Sequence, residues 1–184
     1  MTRLAKVSLG SLLSLSLVSH AAAVQQKTVQ ASLRATADRT PAPAFSLADA
    51  SGSMRHLSDY RGKPVVVNLW ATNCGGCKIE LPSFVKMSGS YQDRVTVLGV
   101  SMDIMYDGLK SAAEGWAHVT PFVASHGLTY PILLDDGSVE KAFNVTALPA
   151  TYLIDRTGRL AGSYIGVVDP DDLDANIKKL LAER

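Results

Sequence analysis

The stretch that decides the fold is WATNCGGCKIELP, residues 70–82. It contains Cys74 and Cys77, which are the two cysteines of the chain. Residues 65–70 form a near-continuous apolar run rich in valine, and such a run predicts a strand that is covered on both faces. Residues 74–91 then have the pattern of a helix, so the first cysteine lies at a strand–helix junction. The unpaired amides and the positive dipole end of a helix N-terminus stabilise a thiolate.

The spacing of the two cysteines favours a redox-active pair over a structural one. A bridge across two residues closes a very small loop, and the chain-entropy model gives little stabilisation for small loops. A structural zinc site needs four ligands, and no second cysteine pair exists. The histidines are scattered without ligand-like spacing: His20, His56, His118 and His126. We therefore predict that Cys74 attacks a disulfide and that Cys77, nearly one turn further along, resolves the mixed disulfide.

The rest of the chain predicts an α/β fold with a mixed central sheet flanked by helices. Strands alternate with helices first, an antiparallel hairpin follows, and a helix closes the chain. The predicted elements are an N-terminal hairpin (45–47 and 54–57), buried strands (65–70 and 95–102), a helical stretch (107–127) in which Pro121 bends or ends the first part, a brief strand (131–134), a second hairpin (150–154 and 160–165) and a last helix that begins after Asp169.

The N-terminal residues have the three-part plan of a secretory signal peptide. Arg3 and Lys6 give a positive start, an apolar stretch follows, and residues 21–23 are small, which predicts cleavage after Ala23. The apolar stretch is shorter than the roughly 20 residues of a membrane span, so a retained anchor is the weaker alternative. Residues 24–42 are interpreted as a flexible tether, and residues 43–184 as the folded domain. No basic run indicates nucleic acid as a partner.

Residues 70–82 resemble the active-site stretch of the thioredoxin superfamily. They are most similar to the TlpA-like branch of extracytoplasmic reductases, which includes those that serve cytochrome c maturation. Residues 43–47, 57–63 and 147–155 support the resemblance in the right order, and residues 107–127 lie where that branch carries a helical insertion. The resemblance implies a thioredoxin-like fold with an N-terminal hairpin and no cofactor or metal.

The resemblance also implies further site residues. Leu148 and Pro149 correspond to the family's cis-proline segment, which faces the cysteines and pairs with an extended substrate. Trp70, expected to pack under the active site, is counted with them as substrate-binding. Asn68 occupies the position of a buried acid in cytosolic thioredoxins, and an amide cannot accept the proton of Cys77. Glu80, three residues after Cys77 on the same helical side, is therefore the candidate base.

The sequence departs from the family pattern in two ways. Asn73 replaces the aromatic residue that usually precedes the first cysteine, so the exposed surface around the cysteines is expected to be more polar. Gly75-Gly76 lacks the common proline, which leaves the redox potential and the direction of electron flow open. The leading hypothesis is a periplasmic reductant of disulfide-containing extracytoplasmic proteins, apocytochrome c or copper-centre proteins among them, that is recharged by a membrane or periplasmic thiol donor. A disulfide oxidant or isomerase is the alternative within the same chemistry.

Two other classes of protein remain as weaker alternatives. A peroxidase of the peroxiredoxin kind uses one cysteine placed after a proline and a threonine, a pattern that this stretch lacks. A copper(I) metallochaperone is also conceivable because soft thiolates bind that ion, with Met102 and Met105 as possible assisting ligands.

Overall fold

The computed structural model describes residues 27–183. The predicted signal peptide, residues 1–23, lies outside this part. Within it, no helix has both the length and the apolar composition needed to cross a membrane. The strands are β1 (Ser46–Ala48), β2 (Met54–His56), β3 (Val65–Trp70), β4 (Thr96–Ser101), β5 (Ile132–Leu134), β6 (Ala150–Ile154) and β7 (Leu160–Ile165). The α-helices are α1 (Gly75–Tyr91), α2 (Asp103–Tyr106), α3 (Ala112–Ser125), α4 (Ser138–Phe143) and α5 (Pro170–Ala182).

Five strands form one mixed sheet in the order β5-β4-β3-β6-β7. β3, β4 and β5 are parallel, whereas β6 is antiparallel to β3 and β7 is antiparallel to β6. Parallel neighbours need a long crossover, and α1 supplies it between β3 and β4. β3 is central and buried along its whole length. The α/β class and the mixed sheet predicted from the sequence are confirmed.

The sheet separates two apolar cores, because successive side chains of a strand point to opposite faces. On one face, Val66 and Trp70 pack with residues of α1, α3 and α5. On the other face, Val67 and Leu69 pack with α4 and with the β1–β2 hairpin. The cysteine pair belongs to the first face, where α1 begins.

The helical insertion differs in detail from the prediction. Residues 107–111 are not helical and separate α2 from α3. Gly108 has a φ of +64°, and the side chain of Ser111 caps α3 by accepting a hydrogen bond from the backbone of Glu114. Pro121 lies inside α3 rather than at its end. The short helix α4 was not predicted, because six residues carry too little periodicity to indicate a helix.

The segment of residues 28–42, here called the N-terminal strap, lies along the β7 side of the sheet. The backbone amide of Val29 donates to the carbonyl of Val167, and that of Arg34 donates to the carbonyl of Ala161, each at 2.8 Å. Val29 also forms a parallel bridge with Val168. The interpretation of residues 24–42 as a flexible tether is therefore wrong for the strap, because its backbone groups are bonded to the domain.

Arg39 fixes the end of the strap. Its buried guanidinium donates to the carboxylate of Asp155 at 3.2 Å and to both oxygens of Glu183 at 2.6 Å. A fork of this kind binds a carboxylate through two parallel hydrogen bonds. The strap is thus tied to the β6–β7 turn and to the end of α5, so the folded unit includes residues that precede position 43.

Candidate active site

The cysteine pair lies where β3 ends and α1 begins. Cys74 is the N-cap residue of α1, and it forms a disulfide with Cys77 in the first turn. The amide of Cys77 also donates to the sulfur of Cys74 at 3.1 Å. Cys74 is half-buried, whereas Cys77 has no exposed surface. A partner can therefore approach Cys74 but cannot approach Cys77 in this conformation.

The segment before β6 faces the cysteine turn. The Leu148–Pro149 peptide bond is cis, as the resemblance implies. A Cβ atom placed on Gly76 would lie 3.2 Å from Pro149 Cδ and 3.1 Å from Val167 Cγ2. Leu148 is half-buried and Pro149 is buried. The proline segment and the residue at position 167 thus form one wall beside the sulfurs.

Trp70 is not part of the exposed surface around the cysteines. It has no exposed surface, and its ring stacks on Phe122 of α3 with the ring centroids 5.2 Å apart. The last side chain of β3 points to the α1 face, so it lies under the cysteine turn rather than beside a partner. The expectation that Trp70 binds substrate directly does not hold in this structure, because the side chain offers a partner no surface.

Glu80 is a buried acid on the inner side of α1. It is 3% exposed, and its two oxygens accept from Asn68 Nδ2 at 2.7 Å and from the backbone amide of Val168 at 3.0 Å. Burial raises the pKa of Glu80 to about 7, against the two hydrogen bonds, which lower it. A carboxyl with this pKa can both take and release a proton near neutral pH.

Asn68 holds Glu80 in place from the central strand. Its amide nitrogen also donates to Thr151 Oγ1 at 3.1 Å, and the side chain is fully buried. Asn68 and Glu80 both stand out in the sequence, but the hydrogen bond between their side chains was not predicted. The available signal was Asn68, a polar residue within the otherwise apolar run of residues 65–70.

A second polar network ties the helical insertion to the loop before Cys74. The buried carboxylate of Asp103 accepts from the amide of Thr72 at 3.0 Å and from its hydroxyl at 2.5 Å. Asn73 donates to Asp107 at 2.9 Å. His118 Nε2 lies 2.7 Å from the Thr72 hydroxyl oxygen. Sequence reasoning missed this network, because no local pattern shows that α2 and α3 contact that loop.

Within residues 27–183, three side chains of this network could offer ligands to a metal. Oxygen atoms of Asp103 and Asp107 and a ring nitrogen of His118 lie within 4.8 Å of one another. The Asp103 carboxylate is already engaged by Thr72 and by Ser101, whose hydroxyl donates to it at 2.6 Å. Hydrogen bonds within the protein thus explain the positions of these three side chains without a metal.

The methionines considered as copper ligands are not gathered at the cysteines. Met102 has no exposed surface and belongs to the core on the other face of the sheet. Met105 is about half exposed, and its sulfur is near Gly137. Neither position adds support for a copper site.

The fold and the cysteine pair together define a thioredoxin-like thiol–disulfide oxidoreductase. An accessible sulfur caps the first helix, a buried sulfur lies one turn deeper, and a cis-proline segment faces both. This is the arrangement that exchange of a dithiol with a disulfide requires.

The chain belongs to the AhpC/TSA family, whose model matches residues 39–163. It is 32% identical over 136 residues to the thioredoxin-like protein YneN of Bacillus subtilis (strain 168), with 74% of this chain and 76% of that protein covered. It is 33% identical over 148 residues to the thiol-disulfide oxidoreductase ResA of Geobacillus kaustophilus (strain HTA426), with 79% of each chain covered.

A solved structure also has this fold. The thiol:disulfide interchange protein DsbE from Chlorobium tepidum superposes with a TM-score of 0.67 at 25% identity, with 78% of this chain and 97% of that chain covered. The protein is thus similar to ResA and DsbE, and it is an enzyme of thiol–disulfide exchange.

Proposed function

We propose that the protein reduces disulfides in extracytoplasmic partner proteins, with Cys74 as nucleophile, Cys77 as resolving thiol and Glu80 as proton acceptor. The observation that carries this proposal is the pairing of an accessible sulfur with a buried sulfur one turn deeper, together with a buried carboxyl three residues further along the helix whose pKa is raised to about 7. A buried thiol needs a base to become a thiolate, and Glu80 is the acid nearest to it along the helix.

The reaction balances as an exchange of two electrons. The thiolate of reduced Cys74 attacks one sulfur of the partner's disulfide, and the other partner sulfur leaves as a thiolate. Cys77 gives its proton to Glu80 and attacks the Cys74 sulfur, which releases the second partner thiolate. The products are the reduced partner and the Cys74–Cys77 disulfide, the form that the structure contains. A membrane or periplasmic thiol donor then restores the dithiol.

The wall formed by Leu148 and Pro149 is the proposed docking place for the partner. An extended segment can pair with exposed backbone beside the cysteines, as in other cases of strand addition. The half-buried side chain of Leu148 offers apolar contact there. Apocytochrome c and copper-centre proteins are the partners that the resemblance suggests.

Export to the periplasm is the proposed location. It is supported by the signal-peptide pattern of residues 1–23, which combines a basic start, a short apolar stretch and small residues before Val24. N-terminal sequencing of the protein recovered from the periplasm should find a start near Val24. A protein that retains Met1 in the membrane fraction would contradict cleavage and favour an anchored form.

The roles of the cysteines can be tested by trapping. The Cys77→Ala variant should accumulate mixed disulfides with partner proteins, because the resolving thiol is lost. The Cys74→Ala variant is the matched control and should trap none, since the remaining sulfur is buried. Equal trapping by both variants would refute the assignment of roles.

The direction of the reaction is tested by the reduction potential of the pair. A value near about −270 mV supports a reductant, whereas one near about −120 mV identifies an oxidant. The oxidant or isomerase alternative has its own motivation in Gly75-Gly76, since the residues between the cysteines influence the potential.

A further inference from the structure

The connecting segment of residues 166–169, which links β7 to α5, is bonded to the active site at alternate residues. The backbone amide of Gly166 donates to the carbonyl of Pro149 at 2.8 Å. The backbone amide of Val168 donates to the carboxyl of Glu80 at 3.0 Å. The connecting segment therefore holds both the cis-proline and the candidate base.

The other two residues of the connecting segment are bonded to the N-terminal strap. The amide of Val29 donates to the carbonyl of Val167 at 2.8 Å, and the amide of Asp169 donates to the carbonyl of Val29 at 3.0 Å. The side-chain amide of Gln30 donates to the carboxylate of Asp169 at 3.2 Å. In an extended chain the backbone groups of successive residues point in opposite directions. The connecting segment is thus bonded to the active site on one side and to the strap on the other.

The side chains on both sides of the connecting segment are closely packed. A Cβ atom placed on Gly166 would lie 3.2 Å from Val29 Cγ1, and one placed on Gly76 would lie 3.1 Å from Val167 Cγ2. Val29 is half-buried and packs against the core on the α1 face. Val29 therefore supports the segment on the side opposite to its bonds with the active site.

Residues 28–38 of the strap and the connecting segment lie outside the part of the chain that the family model matches, residues 39–163. We propose that the strap belongs to the active site, with Val29 as a positioning residue that fixes the connecting segment and, through it, the wall at Val167 and the amide that binds Glu80. The effect on catalysis rests on the proposed role of Glu80, whereas the effect on the position of the segment does not.

Of the two donors that hold Glu80, the one in the connecting segment depends on the strap. Asn68 belongs to β3, which is paired on both sides, whereas Val168 lies in a connection whose outer side is bonded to Val29. The hydrogen bond from Val168 lowers the pKa of Glu80, against the burial that raises it. Release of the segment should leave Glu80 protonated to a higher pH, so that less of it can accept a proton near neutral pH. Tyr130 also interacts with the charge of Glu80, but burial raises the pKa of its hydroxyl, which stays protonated there.

The positioning role is tested with Val29→Pro, because proline lacks the amide hydrogen that bonds to Val167. The matched control is Arg34→Pro, which removes a strap bond of the same length to Ala161, at the end of β7 away from the site. The measurement is the titration of Glu80, followed by NMR of its carboxyl carbon in the oxidised protein, whose cysteines are joined in the disulfide. Val29→Pro should raise the pKa of Glu80 by about 0.5–1 unit, the equivalent of one hydrogen bond, and Arg34→Pro should leave it unchanged.

A second variant, Val29→Ala, tests the same support with the backbone amide intact. It removes the methyl groups that lie against Gly166 and should move the Glu80 titration in the same direction by a smaller amount. Titrations of both Val29 variants that coincide with that of the parent would overturn the proposal. An equal displacement in Arg34→Pro would overturn the assignment to Val29.

The consequence for catalysis is measured as the pH–rate profile for single-turnover reduction of insulin disulfides by the reduced protein. Val29→Pro should slow this reaction several-fold near neutral pH and move the midpoint of the profile to higher pH, whereas Arg34→Pro should do neither. A displaced Glu80 titration with an unchanged pH–rate profile would support the positioning role of Val29 and contradict instead the use of Glu80 as the proton acceptor.

Discussion

The Glu80→Gln variant should lose most of the pH dependence of stability that the buried carboxyl creates. Burial raises the pKa of Glu80 from 4.5 to about 7 in the folded protein. Below the lower value the carboxyl is protonated in both the folded and the unfolded chain. Between the two values the unfolded chain releases the proton while the folded protein keeps it, so the free energy of unfolding falls as the pH rises.

The size of the pH effect on the free energy of unfolding follows from the pKa shift of Glu80. Each pKa unit corresponds to about 1.4 kcal/mol, so a shift of about 2.5 units is worth about 3 kcal/mol when the pH exceeds both values. Of this, about 2 to 3 kcal/mol is lost between pH 5 and pH 8. Glutamine carries no titrating group, but it keeps only one oxygen for the hydrogen bonds from Asn68 and Val168. That loss of about 1 kcal/mol does not depend on pH.

The measurement is urea unfolding of the oxidised parent and of Glu80→Gln at pH 5 and pH 8. The difference in unfolding free energy between the two proteins isolates Glu80, because every other titrating group is present in both. Relative to the parent, the variant should gain about 2 to 3 kcal/mol from pH 5 to pH 8. A difference that stays constant within about 0.5 kcal/mol would refute the raised pKa and, with it, the use of Glu80 as a base near neutral pH.

Three further predictions concern the parts that surround the site. Asp103→Ala should lower the free energy of unfolding by about 3 kcal/mol in urea, because it leaves buried donors unpaired, whereas Asp107→Ala, at a partly exposed position, should lower it by less than about 1 kcal/mol. Arg39→Met should lower the free energy of unfolding by about 3 kcal/mol in the same assay, because it leaves a buried carboxylate without its positive partner. An unchanged midpoint of urea unfolding would show that the strap contributes no stability. Gly75→Ala should raise stability by about 0.5–1 kcal/mol, as alanine favours a helix. Gly76→Ala should gain less and slow the reduction of protein disulfides, because its methyl group presses on the proline wall, and equal rates in the two variants would contradict that contact.

The sequence predicted the parts of the site that depend on local pattern. A valine-rich run, a close cysteine pair and a helix start lie next to one another, so β3, the disulfide and α1 could be placed without knowledge of the rest of the chain. Glu80 was identified by its spacing from Cys77 together with the family resemblance, in which Asn68 replaces a buried acid. Its burial, and the raised pKa that burial causes, could not be predicted, because they depend on how distant segments pack around α1. The hydrogen bonds from Asn68 and Val168, which lower that pKa, also come from distant segments, namely the central strand and the loop before α5.

The missed features all join segments that are far apart in the chain. The strap is held by its backbone bonds and by Val29, Ala31 and Leu33, which pack against the core on the α1 face. The alternation of these three residues with polar ones was overlooked in the sequence. The network of Asp103 with Thr72 connects positions 31 residues apart and has no local signature. Trp70 was predicted to bind substrate because it lies in the active-site motif. The face of the sheet to which its side chain points is instead set by the alternation of side chains along β3.

The N-terminal strap also covers one edge of the five-stranded sheet. Its backbone bonds occupy the β7 side of the five-stranded sheet, and a bridge between Asp49 and Leu133 covers part of β5 at the opposite edge. Uncovered strand edges are templates for pairing between molecules and lead to aggregation. A chain shortened to begin at residue 43 would expose the β7 edge, and the freed carbonyls of Ala161 and Val167 would be available to a second molecule.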